Sequence, residues 1–234
     1  MSMTMPMPTG DEIADRYQAA HDRIVGLADA LDDTQSATPV PSTPKWNVHD
    51  VLAHLVAVTT DALAGRITGR PTDEFTAAQV ADRADASIAD LIAEWRPNVA
   101  PMLAAVRGGN VGPALSVDAI THEQDIRGAL GLGRVADEEV RFCLSVYTGA
   151  LGRGLSAADV PALRLRGTDA GLDVVAGEGE PAAEVAAAEY EFFRAIPGRR
   201  GRKQVEQYAW SGDPVAYLDR FNIFGALPEY IVTD

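Results

Sequence analysis

Apolar residues recur at three- and four-residue steps through the first two thirds of the chain, a spacing that predicts helices. The pattern runs through residues 10–32, 47–65, 86–106 and 117–131, and a further helix is predicted over residues 137–156. Segments rich in proline, glycine, serine or threonine separate several of these stretches. We therefore expect a bundle of helices in this part of the chain.

Capping and breaking residues set the expected ends of these helices. Asn47 precedes the second predicted helix and Asp50 follows three residues later, a pattern typical of helix N-termini. Gly65 lies near the expected end of the same helix. In the third predicted helix, Pro97 and Pro101 predict a kink or a break.

The hydrophobic pattern changes in the last third of the chain. Alternating residues at 162–169 and 172–177 predict two strands joined by a glycine-containing turn. Residues 182–196 predict a helix, residues 204–210 a further strand, and residues 213–221 a short helix that begins near a proline. This mixture is typical of a small α/β domain.

The predicted fold class is therefore α plus α/β, in two domains. Residues 1–157 are expected to form a helical bundle, and residues 158–234 a small α/β C-terminal domain. With 234 residues and 47% hydrophobic content, the chain is long enough to bury a sizeable core.

Charge and composition narrow the classes of function. The net charge of −14 and the sequence pI of about 4.6 disfavour binding to phosphate backbones or anionic lipid, so neither a nucleic acid nor a membrane is expected as a partner. Cys143 is the only cysteine, no apolar run reaches roughly 18 residues, and the first residues lack the features of a signal peptide. These features favour a cytoplasmic location.

The fourth predicted helix carries three titratable side chains on its apolar face. His122 lies within a stripe of apolar residues, with Asp118 four residues before it and Asp125 three residues after it. Buried carboxylates are costly unless they are compensated. A divalent metal would provide that compensation, and a hydrogen-bonded Asp–His–Asp network in the core would do so as well. The helix by itself leaves both interpretations open.

The second predicted helix adds a further histidine. His54 lies among apolar neighbours, whereas His49, in the first turn, is expected to face solvent, as is His21. Two facing bundle helices can build a metal site when one gives a histidine and the other gives a carboxylate and a histidine. Three protein ligands leave a position for water or substrate, which is typical of catalytic sites.

Two segments resemble the mycothiol-dependent maleylpyruvate isomerase family of actinobacteria: WNVHDVLAHLVAV, residues 46–58, and DAITHEQDIRGALG, residues 118–131. The motif W-x-x-x-D-x-x-x-H-L is present as Trp46, Asp50, His54 and Leu55. The motif E-x-x-x-H-x-x-D is present as Asp118, His122 and Asp125. The last third of the chain also resembles the C-terminal domain of that family. The resemblance implies a DinB-like four-helix bundle followed by an α/β domain.

The resemblance also implies a chemistry. It implies a divalent metal, typically Zn²⁺, held by His54, Asp118 and His122, and mycothiol as a low-molecular-weight thiol co-substrate. The metal would lower the pKa of the thiol. Asp125 is expected to orient an imidazole or to pair with a basic group rather than to bind the metal. The co-substrate would supply the thiol, so Cys143 is expected to be a core residue.

One position departs from the family pattern. Where the family usually has glutamate, this chain has Asp118, whose side chain is one methylene shorter. A metal–oxygen distance of roughly 2.0–2.2 Å leaves little slack. Either the helix approaches the metal more closely, a water bridges the gap, or the site is weak or empty.

Three functions are therefore considered. The first is a metal- and mycothiol-dependent isomerase or S-transferase acting on a small electrophilic substrate. The second is a ligand-binding module with a vestigial metal site, and the third is a metal-dependent hydrolase. Arg199, within the basic segment 197–203, is a weaker candidate for binding a carboxylate of the thiol or the substrate, since this segment is also typical of a solvated turn.

Overall fold

The computed structural model describes residues 5–67, 69 and 71–233, which form two units. One unit is Thr9–Val135, and the other consists of residues 5–8 together with Ala136–Thr233. The division falls before the helix over residues 137–157, whereas the sequence predicted a domain boundary after residue 157. The reason is that this helix packs against a strand and a helix of the second unit.

The N-terminal unit is helical. Its elements are α1 (Gly10–Ala28), α2 (Asp33–Ser36), α3 (Val48–Leu63), α4 (Asp73–Ala81), α5 (Ile88–Arg107) and α6 (Ala114–Ala129). The long helices α1, α3, α5 and α6 form a four-helix bundle in which both α5 and α6 pack against α1 and α3. The predicted bundle is confirmed. Within the described residues, no helix is both long enough and apolar enough to cross a membrane.

Helix α3 begins where its capping residues predict. The side chain of Asn47 accepts a hydrogen bond from the backbone N–H of Asp50 at 2.9 Å, and the carboxylate of Asp50 accepts one from the N–H of Asn47 at 3.1 Å. These bonds satisfy two N–H groups that the helix itself leaves unpaired. Gly65, with φ of 67°, follows the end of the helix in the left-handed conformation that glycine favours.

Helix α5 continues through both of its prolines. Pro97 and Pro101 lie within a single helix of 20 residues, so the predicted break does not occur. Both prolines are exposed, while Leu91, Trp95 and Met102 anchor the opposite face in the bundle core. Burial of that apolar face outweighs the local cost of the missing hydrogen bonds.

The C-terminal unit combines helices with a mixed sheet. Its elements are α7 (Asp137–Ala157), β1 (Leu163–Gly167), β2 (Asp173–Ala176), β3 (Ala183–Ala187), α8 (Glu189–Ala195), α9 (Arg202–Glu206), β4 (Ala209–Ser211) and α10 (Val215–Leu218). The strand order is β2-β1-β3-β4. Strand β1 pairs antiparallel with β2 and parallel with β3, which pairs antiparallel with β4. The predicted α plus α/β fold class is confirmed.

Two local predictions for this unit were wrong. Residues 182–196 were expected to form one helix, but they form β3 followed by α8. Burial alternates along β3, and this strand is paired on both sides, so tertiary pairing overrides the helix preference of its alanines. Residues 204–210 were expected to form a strand, but they begin in α9 and only their end belongs to β4.

A glycine allows α7 to lie very close to the end of β2. A Cβ atom at position 152 would lie 2.5 Å from the backbone nitrogen of Gly177 and 3.2 Å from its Cα. Gly177 has φ of 105° and lies against the backbone of Ala162 on its other side. The contact is backbone against backbone, so no side chain can rotate away to make room.

We expect Gly152→Ala to lower the free energy of unfolding by about 2 kcal/mol, since the added methyl group forces α7 away from the sheet. Gly154→Ala is the matched control in the same helix, because a Cβ there meets no atom within 4 Å. Alanine is the better helix former, so the control should be as stable as the wild type or more so. Chemical denaturation of both variants measures the difference, and equal stabilities would contradict the close approach.

Candidate metal centre

Helices α3 and α6 bring together the three predicted metal ligands. Nε2 of His54, on α3, lies 3.5 Å from Oδ2 of Asp118, on α6. Nε2 of His122 lies 3.6 Å from Oδ1 of the same carboxylate. One donor atom from each residue lies within 4.8 Å of the other two. The centroids of the two imidazole rings are 5.1 Å apart.

The spacing of these donor atoms fits a shared cation. Both nitrogen–oxygen distances exceed the roughly 2.7–3.2 Å of an N–H···O hydrogen bond. Ligand atoms at roughly 2.0–2.1 Å from a tetrahedral zinc ion lie roughly 3.4 Å apart, close to the 3.5 and 3.6 Å observed. Asp118 therefore reaches both imidazoles even though its side chain is one methylene shorter than that of glutamate.

The three side chains differ in their access to solvent. His54 and His122 are buried, with 7% and 4% of their surface exposed, whereas 32% of the Asp118 side chain is exposed. Burial of the imidazoles strengthens electrostatic interactions at the site. Asp118 is therefore the most exposed of the three residues, although its Oδ2 atom is buried.

Asp125 lies beside the outer nitrogen of one imidazole. Its Oδ2 atom is 2.9 Å from Nδ1 of His122, on the far side of the ring from Asp118, and the Asp125 side chain is fully buried. A carboxylate in this position fixes the tautomer and the orientation of a metal-binding histidine. The predicted role of Asp125 stays a prediction, and its position is compatible with that role.

A buried carboxylate holds α6 against α1. Glu123 is fully buried, and its two oxygens accept hydrogen bonds from Arg23 at 2.8–3.0 Å and from Arg127 at 2.8 Å. Charge-assisted bonds of this kind are stronger than neutral ones. Glu123 follows His122 directly, so the ion pairs that hold Glu123 also restrict rotation of α6 at the site. The sequence analysis missed this residue.

A buried polar cluster lies in the same bundle. The hydroxyl of Tyr17 lies 2.8 Å from Oγ1 of Thr59, and the indole N–H of Trp95 donates to both oxygens at 3.1 Å. Burial raises the pKa of Tyr17 above its ordinary value, hydrogen bonds to Thr59 and Trp95 oppose that rise, and the charge of Asp118 adds to it. Tyr17 is therefore neutral at neutral pH.

The other two histidines do not join the three donor residues. His21 is buried, with its ring edge to face against Trp95 at a centroid distance of 4.8 Å, so the expectation that it faces solvent was wrong. His49 is half-buried, and its Nε2 lies 2.8 Å from the carbonyl oxygen of Ala86. Their helical positions alone did not show these tertiary contacts.

Two residues singled out from the sequence lie in the C-terminal unit. Arg199 follows α8, and its guanidinium donates a hydrogen bond to the carbonyl oxygen of Pro197 at 2.8 Å. Its role in binding a carboxylate of the substrate or the thiol stays a prediction. Cys143 is fully buried in α7, as expected of a core residue.

The bundle places two histidines and one carboxylate close together between facing helices, an arrangement from which helical bundles can build metal sites. Residues 17–114 match the family described as the mycothiol maleylpyruvate isomerase N-terminal domain. The match includes His54 and ends at the first residue of α6, before Asp118 and His122. The resemblance predicted from the sequence is confirmed for this part of the chain.

Two solved structures are similar to the chain over most of its length. Both are crystal structures of the mycothiol-dependent maleylpyruvate isomerase, one of them of a mutant in which a histidine is replaced by alanine. Each has a TM-score of 0.53 and 14% sequence identity, and the similarity covers 89% of this chain and 95% of the other. This similarity supports the fold. Among curated proteins, no sequence matches the chain.

We expect the protein to bind about one Zn²⁺ per chain, since it has one set of three fitting donor atoms in the described residues. Replacing His54 by alanine should weaken zinc binding at least about 100-fold, because it removes one of the three donor atoms. His49→Ala, in the same helix, is the matched control and should bind zinc as the wild type does. Competition titrations against a chelator of known affinity measure both, and equal binding by the two variants would exclude His54 as a ligand.

Proposed function

We propose that the protein is a metal-dependent enzyme that uses mycothiol to isomerise a small electrophilic substrate or, as an S-transferase, joins mycothiol to it through sulfur. The observation that carries the proposal is the convergence of His54, Asp118 and His122 on one point between α3 and α6. The family match over residues 17–114 supports mycothiol as the thiol, because that family is named for this co-substrate.

His54, His122 and Asp118 would hold the metal, with Zn²⁺ as the expected ion for two imidazoles and one carboxylate. When bound, the metal would lower the pKa of a thiol and stabilise its thiolate form at neutral pH. Three protein ligands leave room for that thiol. The chain itself has no accessible thiol, because its only cysteine, Cys143, is fully buried.

The surrounding residues would prepare the site for an anionic sulfur. The buried imidazoles exclude water from one side, while the partly exposed Asp118 marks the side from which the thiol and the substrate enter. Asp125 would keep His122 in one tautomer and one orientation. Such fixed positioning contributes to catalysis, because the groups do not have to reorganise during the reaction.

The proposed reaction needs no oxidant or reductant. The thiolate adds to one carbon of an activated alkene, so that a C–S bond forms and the C=C π bond opens toward the adjacent carbonyl. Rotation about the resulting single bond, followed by cleavage of the C–S bond, restores the alkene with changed geometry and releases the thiolate. Protonation of the adduct before cleavage would instead give a stable thioether, the product of S-transfer. Maleylpyruvate is the first substrate to test.

We expect zinc-loaded protein to convert an activated cis-alkene such as maleylpyruvate only when mycothiol is present. His54→Ala should lower kcat/KM at least about 100-fold, because the thiolate is no longer stabilised. His49→Ala should retain the wild-type rate. Chromatography separates the cis-alkene from the trans-alkene and the thioether, so the amount of each product measures isomerisation and S-transfer separately.

Assays without thiol, together with metal analysis, distinguish the other two functions. Turnover of an ester or amide without thiol would contradict the proposal and indicate a metal-dependent hydrolase. A protein that converts no substrate, holds no zinc and keeps its melting temperature in the presence of a chelator would also contradict the proposal. That result would favour a ligand-binding module with a vestigial metal site.

A further inference from the structure

An indole ring lies against both imidazoles of the candidate metal centre. The ring centroid of Trp46 is 5.2 Å from that of His54 and 6.1 Å from that of His122, with interplanar angles of 35° and 40°. Aromatic rings at such separations attract each other and restrict each other's orientation. Trp46 therefore contacts the two histidines from outside the helices that carry them.

The two imidazoles differ at the nitrogen that points away from Asp118. For His122 this atom, Nδ1, lies 2.9 Å from the carboxylate of Asp125. For His54 the corresponding atom, also Nδ1, is buried and has no hydrogen-bond partner among the residues that the structure describes. Histidines that bind metals almost always hydrogen-bond through their second nitrogen, which fixes the ring. Among the described residues, none gives His54 a carboxylate in the position that Asp125 has at His122.

Hydrogen bonds hold the backbone of Trp46 in place. The Trp46 N–H donates to the carbonyl of Thr43 at 2.8 Å, and its own carbonyl accepts from the N–H of Val40 at 3.0 Å. An isolated bridge joins Pro39 to Asn47, the residue that caps α3. The N–H and the carbonyl of Trp46 are thus both hydrogen-bonded within the loop, which fixes the backbone that carries the indole.

We propose that Trp46 is a positioning residue that fixes the His54 imidazole for metal binding, as Asp125 is predicted to do for His122. The inference rests on the proposed function, since it assumes that His54 binds the metal. Packing against the indole would hold the imidazole with Nε2 directed at the donor group of Asp118, and it would keep water from the unsupported face of the ring.

A double-mutant cycle on zinc affinity tests this assignment, with Trp46→Ala, His54→Ala and the double variant. We expect Trp46→Ala to weaken zinc binding roughly 10- to 100-fold, the usual range when a group that orients a metal-binding residue is removed. Trp46→Phe should weaken it less, because an aromatic face remains. In the His54→Ala background, Trp46→Ala should have a much smaller effect, since only its more distant contact with His122 remains.

A second double-mutant cycle, which combines Trp46→Ala with Asp125→Asn, provides the matched comparison. Asp125→Asn acts on His122, which Trp46 contacts at the longer centroid distance of 6.1 Å, so its effect and that of Trp46→Ala should be close to multiplicative. Melting temperatures of the metal-free variants report on folding, and Trp46→Leu replaces Trp46→Ala in the cycle if the alanine variant does not fold. The visible spectrum of bound Co²⁺ should change in Trp46→Ala and Trp46→Leu, because the geometry of the His54 ligand changes.

The outcomes separate this inference from the proposed function. If the wild type binds zinc and Trp46→Ala binds it equally tightly, the role of Trp46 is overturned and the metal centre stands. The same holds if Trp46→Ala lowers zinc affinity by the same factor with and without His54. Absence of zinc binding by the wild type overturns the proposed function and this inference together.

Discussion

The packing of α3 against α6 is the constraint on which the candidate site depends. It places an imidazole from one helix beside a carboxylate and an imidazole from the other, with nitrogen–oxygen distances of 3.5 and 3.6 Å. A rotation of either helix by one residue, about 100°, would direct these groups apart. The buried pairing of Glu123 with Arg23 and Arg127 resists such a rotation of α6. The arrangement of the donors is thus a consequence of bundle packing.

The site combines groups that a bundle core normally excludes. Asp125 is fully buried next to His122, and Asp118 lies close enough to Tyr17 to raise the pKa of that phenol. Buried carboxylates need compensating charge or hydrogen bonds to stay ionised. Under the proposed function, a divalent cation bound by Asp118 and the two imidazoles would provide positive charge at this point of the bundle.

Local patterns in the sequence were sufficient to predict the parts of the fold and the site that depend on local spacing. The cap formed by Asn47 and Asp50, and the placement of Asp118, His122 and Asp125 on one face of α6, follow from helical periodicity alone. The pairing of Arg23 with Glu123 joins residues 100 positions apart and depends on how α1 packs on α6, which no local pattern reveals. The alanine-rich β3 is a strand only because β1 and β4 lie on its two sides.

The most direct test of the account is a crystal structure of the protein grown with excess zinc, with anomalous diffraction recorded on both sides of the zinc absorption edge. The account predicts one strong anomalous peak between α3 and α6, at roughly 2.0–2.2 Å from His54, His122 and Asp118. An absence of anomalous signal there, with the two imidazoles hydrogen-bonded to the carboxylates of Asp118 and Asp125, would contradict it.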